Sequence, residues 1–96
     1  MTVGIIATLK VQEGKNEEFE SVFSELVQQV RANEPDNLLY AIHRSRTDSQ
    51  VYKVLEQYTN DAAIEAHGKT DYFRAAGAKL AGCLAAAPDI ETLDEV

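Results

Sequence analysis

At the start of the chain, every second side chain is apolar. The members of this set are Val3, Ile5, Ala7, Leu9 and Val11. Because successive side chains of a β-strand point to opposite faces, a period of two predicts a strand with one continuous apolar face. The polar segment "QEGKN" then interrupts the alternation, so we predict that the first strand ends before it.

From Asn16 the spacing of the apolar side chains changes to three and four residues. These side chains belong to Phe19, Val22, Phe23, Leu26, Val27 and Val30. That spacing places them on one face of an α-helix, with polar side chains on the opposite face. Glu17 and Glu18 lie in the first turn, where the helix dipole favours negative charge. The predicted helix ends before Pro35, because proline disfavours helical geometry at the preceding residue, Glu34.

Three further strands are predicted. Residues 38–45 ("LLYAIHRS") and 51–58 ("VYKVLEQY") are rich in apolar and aromatic side chains, and the polar turn "RTDSQ" joins them. Pro88 precedes the last predicted strand, residues 89–96 ("DIETLDEV"). The chain therefore has one strand before the first helix and two directly after it.

A second helical region lies between the third and fourth predicted strands. It begins near Asn60, pauses at Gly68, restarts at Thr70 and runs through Leu84. The order of elements is β-α-β-β-α-β, the ferredoxin-like motif of an antiparallel sheet in an α+β fold. We predict a single domain, residues 1–96, because the chain has the length of one domain and contains no linker.

The predicted strands carry apolar side chains on both faces. Ile6 lies opposite the apolar face of the first strand, and Val51 and Leu55 lie opposite the tyrosines of the third. An antiparallel sheet with helices on one side normally has a polar second face. A second copy of the chain would cover such a face, so we predict a homodimer with two-fold symmetry, sheet packed on sheet.

The composition narrows the classes of partner. Nine lysines and arginines against sixteen aspartates and glutamates give a net charge of -7, which repels phosphate backbones, so we predict no nucleic-acid partner. The apolar start of the chain is too short to span a bilayer and lacks a basic leader, so we predict no membrane partner and a cytoplasmic location. Cys83, the single cysteine, excludes an internal disulfide and is predicted to be a small buried side chain on the last helix.

His67 is one of two histidines and lies between a short apolar helix and a glycine. One interpretation is structural: Asn60 caps the helix, His67 lies in its last turn, and Gly68 closes it. The other is functional, because His67 shares a helical face with Ile64 and so points toward the sheet. An imidazole beside an apolar cavity can act as a general base near neutral pH. The residues alone leave both interpretations open.

Several segments of the chain resemble the antibiotic biosynthesis monooxygenase family. The segments are "LKVQEGKNEEFESVF", "LLYAIHRS", "VYKVLEQYTNDAAIEAHGKTDYF" and "PDIETLDEV", and the most specific matches are Tyr40, Glu56, Tyr58, Ala63 and His67. The resemblance implies a dimeric α+β barrel, in agreement with the predicted topology. It also implies the activity of some members, which oxygenate polycyclic phenols or quinols with molecular oxygen and no cofactor. Other members degrade haem, isomerise small ketones or have no known activity.

The chain departs from the family's patterns in three places. Many members have E-P-G before the second strand, where this chain has Glu34, Pro35 and Asp36, and aspartate tolerates the same turn. Haem-degrading relatives use a histidine that by spacing corresponds to Gly77 here, so the resemblance does not extend to haem degradation. The chain also contains no tryptophan, a residue that some polyketide oxygenases use.

A cofactor-free oxygenase needs a base, hydrogen-bond donors for the developing oxyanion and a dry pocket. We predict His67 as the catalytic base, and Tyr40, Tyr52 and Tyr72 as donors or stacking surfaces for a small aromatic or quinol-like molecule. Aromatic side chains at strand and helix positions are common in protein cores, so each tyrosine also has a structural interpretation. No glycine-rich phosphate loop appears, and we predict no cofactor.

Glu56 is expected to be largely buried, because it shares a strand face with Tyr58 and other apolar side chains. A carboxylate there must be hydrogen-bonded or protonated. We prefer a structural interpretation, in which Glu56 holds a backbone amide or an arginine such as Arg44. It can also orient an imidazole, and it is included among the candidate substrate-binding residues. Nothing in the pattern brings Glu56 together with both His43 and His67, so we predict no metal site.

These observations lead to three hypotheses. The first is a dimeric, cofactor-independent monooxygenase that oxidises a small quinol or polycyclic phenol with molecular oxygen. The second is a non-catalytic ligand-binding or stress-response module, and the third is an isomerase that uses His67 on a small carbonyl compound. A fold does not determine a function, so these hypotheses need a measurement to separate them. Oxygen uptake is expected under the first hypothesis and not under the other two.

Overall fold

A computed structural model describes all residues, 1–96. Its elements are β1 (Val3–Lys10), α1 (Asn16–Asn33), β2 (Asn37–Arg44), β3 (Val51–Tyr58), α2 (Asp61–Gly68), α3 (Asp71–Leu80) and β4 (Asp89–Asp94). The predicted ferredoxin-like α+β fold is confirmed, with the second helical region divided at Gly68 as its sequence indicates. No helix is both long enough and apolar enough to cross a membrane.

The four strands form one antiparallel sheet in the order β2-β3-β1-β4. The central strand β1 pairs with β3 on one side and with β4 on the other. Its register places Ile5 beside Glu56, and Glu56 in turn pairs with Tyr40 of β2. Because paired residues share a sheet face, the predicted alternation brings Tyr40 and Glu56 together on the face that the helices cover.

The helices pack on one face of the sheet and bury the apolar stripe of α1. All of its predicted members except Val22 are buried, and Phe19 and Val30 have no exposed surface. Phe19 packs against Tyr52 with ring centroids 4.7 Å apart and against Phe23 at 5.6 Å. This aromatic cluster fixes α1 over β3 and forms one wall of the interior.

Both short helices begin at a side-chain cap, and the one at Asn60 confirms the prediction. The side chain of Asn60 accepts a hydrogen bond from the backbone N–H of Ala63 at 2.9 Å, at the start of α2. The Thr70 hydroxyl accepts from the N–H of Phe73 at 3.3 Å, at the start of α3. Each cap satisfies a backbone donor that the first turn leaves free. The break between α2 and α3 is therefore encoded locally.

The end of the second helical region differs from the prediction. The helix stops at Leu80 instead of continuing through Leu84, and Leu84 forms a β-bridge with Val11. The N–H of Gln12 donates to the carbonyl of Cys83 at 2.8 Å. Backbone pairing with the end of β1 thus replaces the helical hydrogen bonds that the small-residue tract would otherwise form.

The prediction that Cys83 lies on the last helix is therefore wrong, although the side chain is fully buried. It lies in the turn after α3, and its Sγ donates to the Glu18 carboxylate at 2.9 Å. Burial, together with this carboxylate, raises the pKa of the Cys83 thiol. The thiol therefore stays protonated and acts as a small packed side chain.

The opposite face of the sheet is uncovered in the single chain. Ile6 and Leu55 are paired on it and half-buried, and Leu39 and Leu93 expose 43% and 40% of their surface. The second apolar face that the sequence indicates is therefore present.

Candidate functional site

His67 lies in the last turn of α2 with only 6% of its surface exposed. Its Nδ1 lies 3.0 and 2.9 Å from the two carboxylate oxygens of Glu34, the residue that ends α1. Three aromatic rings surround the imidazole: Phe73, Tyr40 and Tyr58, with centroids at 4.6, 5.2 and 5.7 Å. His67 thus lies in the last turn of a helix and also points inward, so these two interpretations are compatible. The expectation that Gly68 closes the helix in a left-handed conformation is wrong, because Gly68 is the last helical residue, has no positive φ, and is followed by the C-cap Lys69.

An apolar cavity of about 470 Å³ lies between the helices and the sheet, beside His67. Its walls are residues Ile5, Ala7, Leu9, Phe19, Phe23, Leu26, Tyr40, Val54, Glu56, Ile64, His67, Gly68, Phe73, Gly77, Leu80, Ala81, Leu84, Pro88 and Ile90. Five of these lining residues are exposed, so the cavity is open to solvent: Gly68, Gly77, Ala81, Pro88 and Ile90. A cavity of this size and apolar lining is typical of a small-molecule site.

Only three polar side chains reach this cavity: Tyr40, Glu56 and His67. Each retains hydrogen-bonding capacity. The Tyr40 hydroxyl and His67 Nε2 have no protein partner, and the Glu56 carboxyl accepts only from the Tyr58 hydroxyl, at 2.7 Å through Oε1. None of these atoms is sealed from solvent, since the single fully buried, unpartnered side-chain atom is Thr59 Oγ1. These unpartnered atoms therefore keep contact with solvent, and the residues that carry them all line the cavity.

Burial controls the protonation of the polar groups around the cavity. It raises the pKa of Tyr40 and of Tyr58 far above the usual range, and the nearby Glu56 carboxyl raises both further. Tyr40 is therefore a neutral hydrogen-bond donor at any ordinary pH. Burial also raises the pKa of Glu56, although the Tyr58 hydrogen bond and His67 oppose the shift.

Glu56→Gln is expected to stabilise the fold increasingly as the pH rises above the unfolded-state pKa of 4.5, and to have little effect below that value. Because the folded-state pKa of Glu56 is raised, its stabilising contribution is complete below the unfolded-state value of 4.5 and is lost as the pH rises through the folded-state pKa. Glutamine removes this loss, and its amide oxygen can still accept from Tyr58. Melting temperatures across this pH range test the expectation, and equal melting temperatures for both proteins at every pH would contradict it. Lost turnover with unchanged stability would instead assign Glu56 a direct role in the reaction.

Tyr52 does not reach the cavity. Its hydroxyl accepts from Asn16 at 2.9 Å and from Arg44 Nε at 3.1 Å, and it donates to the Glu20 carboxylate. Tyr52 lies beside Leu9 near the start of β3, four residues before Glu56. There this network ties α1 to the β2–β3 hairpin. The structure thus gives Tyr52 a structural position, and it pairs Arg44 with Glu20 instead of Glu56.

Tyr72 also lies outside the cavity lining. Its hydroxyl donates to the Glu34 carboxylate, and burial with that carboxylate raises the pKa of Tyr72 to about 12. Of the five predicted site residues, the structure brings Tyr40, Glu56 and His67 together, and Tyr72 joins them only through Glu34.

Glu34 and Phe73 are site residues that the sequence reasoning did not select. The sequence signal at Glu34 is its match to the family's E-P-G segment, which indicates a turn and gives no sign of a contact with His67. His43, the other histidine, is exposed on the uncovered face of the sheet. No group of three or more histidine, cysteine, aspartate or glutamate side chains is arranged to hold a metal ion.

Comparisons with known proteins agree on one family. Residues 2–79 match the family model described as antibiotic biosynthesis monooxygenase. The Bacillus subtilis (strain 168) protein named "Putative monooxygenase YcnE" is 33% identical over 84 residues, covering 88% of this chain and 87% of that protein.

Solved structures show the same relationship. A Caulobacter crescentus CB15 crystal structure, described as a "putative antibiotic biosynthesis monooxygenase", superimposes with a TM-score of 0.97 at 53% identity, covering 99% of this chain and 90% of that one. The crystal structure of PA3566 from Pseudomonas aeruginosa superimposes with a TM-score of 0.89 at 29% identity, covering 99% of this chain and 94% of that one. The similarity thus extends over nearly the whole chain in sequence and in fold.

Proposed function

Because the chain belongs to the antibiotic biosynthesis monooxygenase family, we propose that it is a cofactor-independent monooxygenase that oxidises a small quinol or polycyclic phenol with molecular oxygen. The observation that carries the proposal is the apolar cavity of about 470 Å³ whose only polar side chains are Tyr40, Glu56 and His67. A flat, largely apolar molecule with one or two hydroxyl groups matches this lining.

The chemistry assigned to the protein is proton transfer and charge stabilisation. His67 Nε2 takes the proton of a substrate hydroxyl, and the Tyr40 hydroxyl donates a hydrogen bond to the resulting phenolate oxygen. A substrate that fills the cavity displaces water from its aromatic and aliphatic walls, which strengthens this hydrogen bond.

The deprotonated substrate supplies the electrons that reduce oxygen. Oxygen adds at a ring carbon that carries two hydrogens in the keto tautomer. Loss of water then leaves a carbonyl, so one oxygen atom remains in the product and the other leaves as water with both hydrogens. The substrate provides all four electrons, which is why no redox cofactor enters the scheme.

Oxygen consumption with a panel of hydroquinones and fused-ring phenols tests the proposal. We expect uptake well above spontaneous autoxidation, with one oxygen molecule consumed per substrate and one ¹⁸O atom from labelled oxygen in the product. Uptake at the autoxidation rate across the panel would contradict it. Saturable binding without turnover would then favour a ligand-binding module, and turnover of a small carbonyl compound under argon would favour an isomerase.

We also propose that the protein acts as a homodimer whose subunits meet through the uncovered sheet face. The apolar pair Ile6 and Leu55, with the exposed Leu39 and Leu93, makes this face more apolar than an ordinary solvent-exposed sheet surface. A two-fold axis through the face would bury the same side chains of both copies.

Leu55→Lys is expected to convert the dimer to a monomer. It places a charge at the centre of the proposed interface, where burial without a partner is costly. Sedimentation velocity of the wild type and the variant measures the change. Gln28→Lys, at an exposed position on α1, adds the same side chain away from the sheet and should remain dimeric. A monomeric wild type, or a dimeric Leu55→Lys protein, would contradict the proposal.

A further inference from the structure

A single carboxylate connects three helices behind His67. Glu34, at the end of α1, is hydrogen-bonded to His67 of α2. It also accepts a hydrogen bond from the hydroxyl of Tyr72 of α3. The Glu34 side chain is 12% exposed and that of His67 is 7% exposed. Such a pair is shielded from water, so its geometry is maintained by the surrounding structure.

The imidazole of His67 separates two spaces of different character. One is the apolar cavity, which Glu34 and Tyr72 do not line. The other is an open groove of about 530 Å³, lined mainly by polar residue types, among them Glu34, Tyr72 and His67 together with Asn33 and Asp36. Glu34 therefore holds His67 from the side away from the cavity.

This pairing determines which ring nitrogen carries the proton. An ionised carboxylate only accepts hydrogen bonds, so Nδ1 of His67 must donate an N–H to Glu34. In the neutral ring Nε2 then keeps its lone pair, and Nε2 has no protein partner. The tautomer that Glu34 selects is the one that can take a proton from a molecule in the cavity.

We infer that Glu34 is a positioning residue: it holds His67 in the Nδ1–H tautomer, directs Nε2 to the cavity and balances the positive charge that the ring gains. The activity part of this inference rests on the proposed function. Tyr72 acts through Glu34, because its hydroxyl is bound to that carboxylate outside the cavity. During the reaction the substrate O–H bond breaks, an N–H bond forms at Nε2, and the electron pair stays on the substrate oxygen. The proton later returns from Nε2 to the oxygen that leaves as water.

The first test is Glu34→Gln, which keeps the shape of the side chain and removes its charge. We expect kcat to fall by roughly 100-fold with KM unchanged, because Glu34 supports proton transfer and does not line the cavity. Glu65→Gln is the matched control, since Glu65 is an exposed carboxylate on α2 that pairs with Lys69. Wild-type kcat in Glu34→Gln, or an effect on KM alone, would overturn the inference.

The second test needs no turnover. Long-range ¹H–¹⁵N spectra of the His67 ring should show the Nδ1–H tautomer in the wild type and its loss in Glu34→Ala. An Nε2–H ring in the wild type, or an unchanged Nδ1–H ring in the variant, would overturn the inference, and the wild-type spectrum alone decides if the variant does not fold. If the wild type consumes no oxygen, the proposed function fails and these spectra still test the role of Glu34.

Discussion

We expect the His67→Gln protein to consume oxygen at roughly one hundredth of the wild-type rate or less on any quinol that the wild type oxidises. Glutamine has a similar reach but accepts no proton at neutral pH, so the substrate must lose its proton to water. Tyr40 cannot substitute as the base, because burial keeps its hydroxyl protonated. The Tyr40 hydrogen bond to the substrate oxygen stays in place, so we expect KM to change much less than kcat.

His43→Gln is the comparison for the other histidine, which lies outside the cavity on the sheet face proposed as the dimer interface, so sedimentation velocity first checks that the variant is still dimeric. It should consume oxygen at the wild-type rate. Circular dichroism of both variants checks that the fold is intact, since His67→Gln changes a buried hydrogen bond to Glu34. Full oxygen uptake by His67→Gln would show that His67 is not the base and would direct attention to Glu56.

Phe19→Ala is expected to reduce the free energy of unfolding by about 3–5 kcal/mol. Phe19 has no exposed surface, and its ring packs against Phe23 and Tyr52. Its removal loses apolar burial and enlarges the adjacent cavity, which the fixed helix–sheet spacing prevents from collapsing. A domain of this size has a total stability of roughly 5–15 kcal/mol, so the variant should lose a large fraction of it.

Urea denaturation monitored by circular dichroism measures this loss. Glu25→Ala, an exposed position on the same helix, is the control and should lie within about 0.5 kcal/mol of the wild type. A loss below about 1 kcal/mol for Phe19→Ala would mean that the cavity wall relaxes around the missing ring, contrary to the packing described above.

The fold was predictable from sequence wherever a clear periodicity ended at a distinct signal. The helix α1 has a continuous apolar stripe and a proline just beyond its end, and β3 was predicted with its observed limits. The end of α3 was not predicted, because Gly82 is a weak stop signal in an alanine-rich tract that continues to Pro88. What ends the helix is the bridge between Leu84 and Val11, which are distant in sequence.

The candidate site was predictable only in part, for a similar reason. Strand alternation shows that Tyr52 and Glu56 share a sheet face, but the placement of Tyr40 on that face depends on the β2–β3 register, and alternation does not show which side chains lie under the cavity. The cavity's position depends on where α2 and α3 cross the sheet. Likewise, nothing in the local pattern connects Glu34 to His67, because their contact depends on how the end of α1 meets the end of α2.

The pairing of β1 has a consequence for the order of folding. The β2–β3 hairpin is local in sequence, whereas β1 must find β3 and then β4 from the far end of the chain. Closing such long loops is entropically costly, so the hairpin should form early and the β1–β4 ladder late. Ile5, Ala7 and Leu9 of β1 and Ile90 of β4 line the cavity. The binding cavity is therefore expected to be completed in the last stage of folding, and a ligand that fills it should act mainly by slowing unfolding.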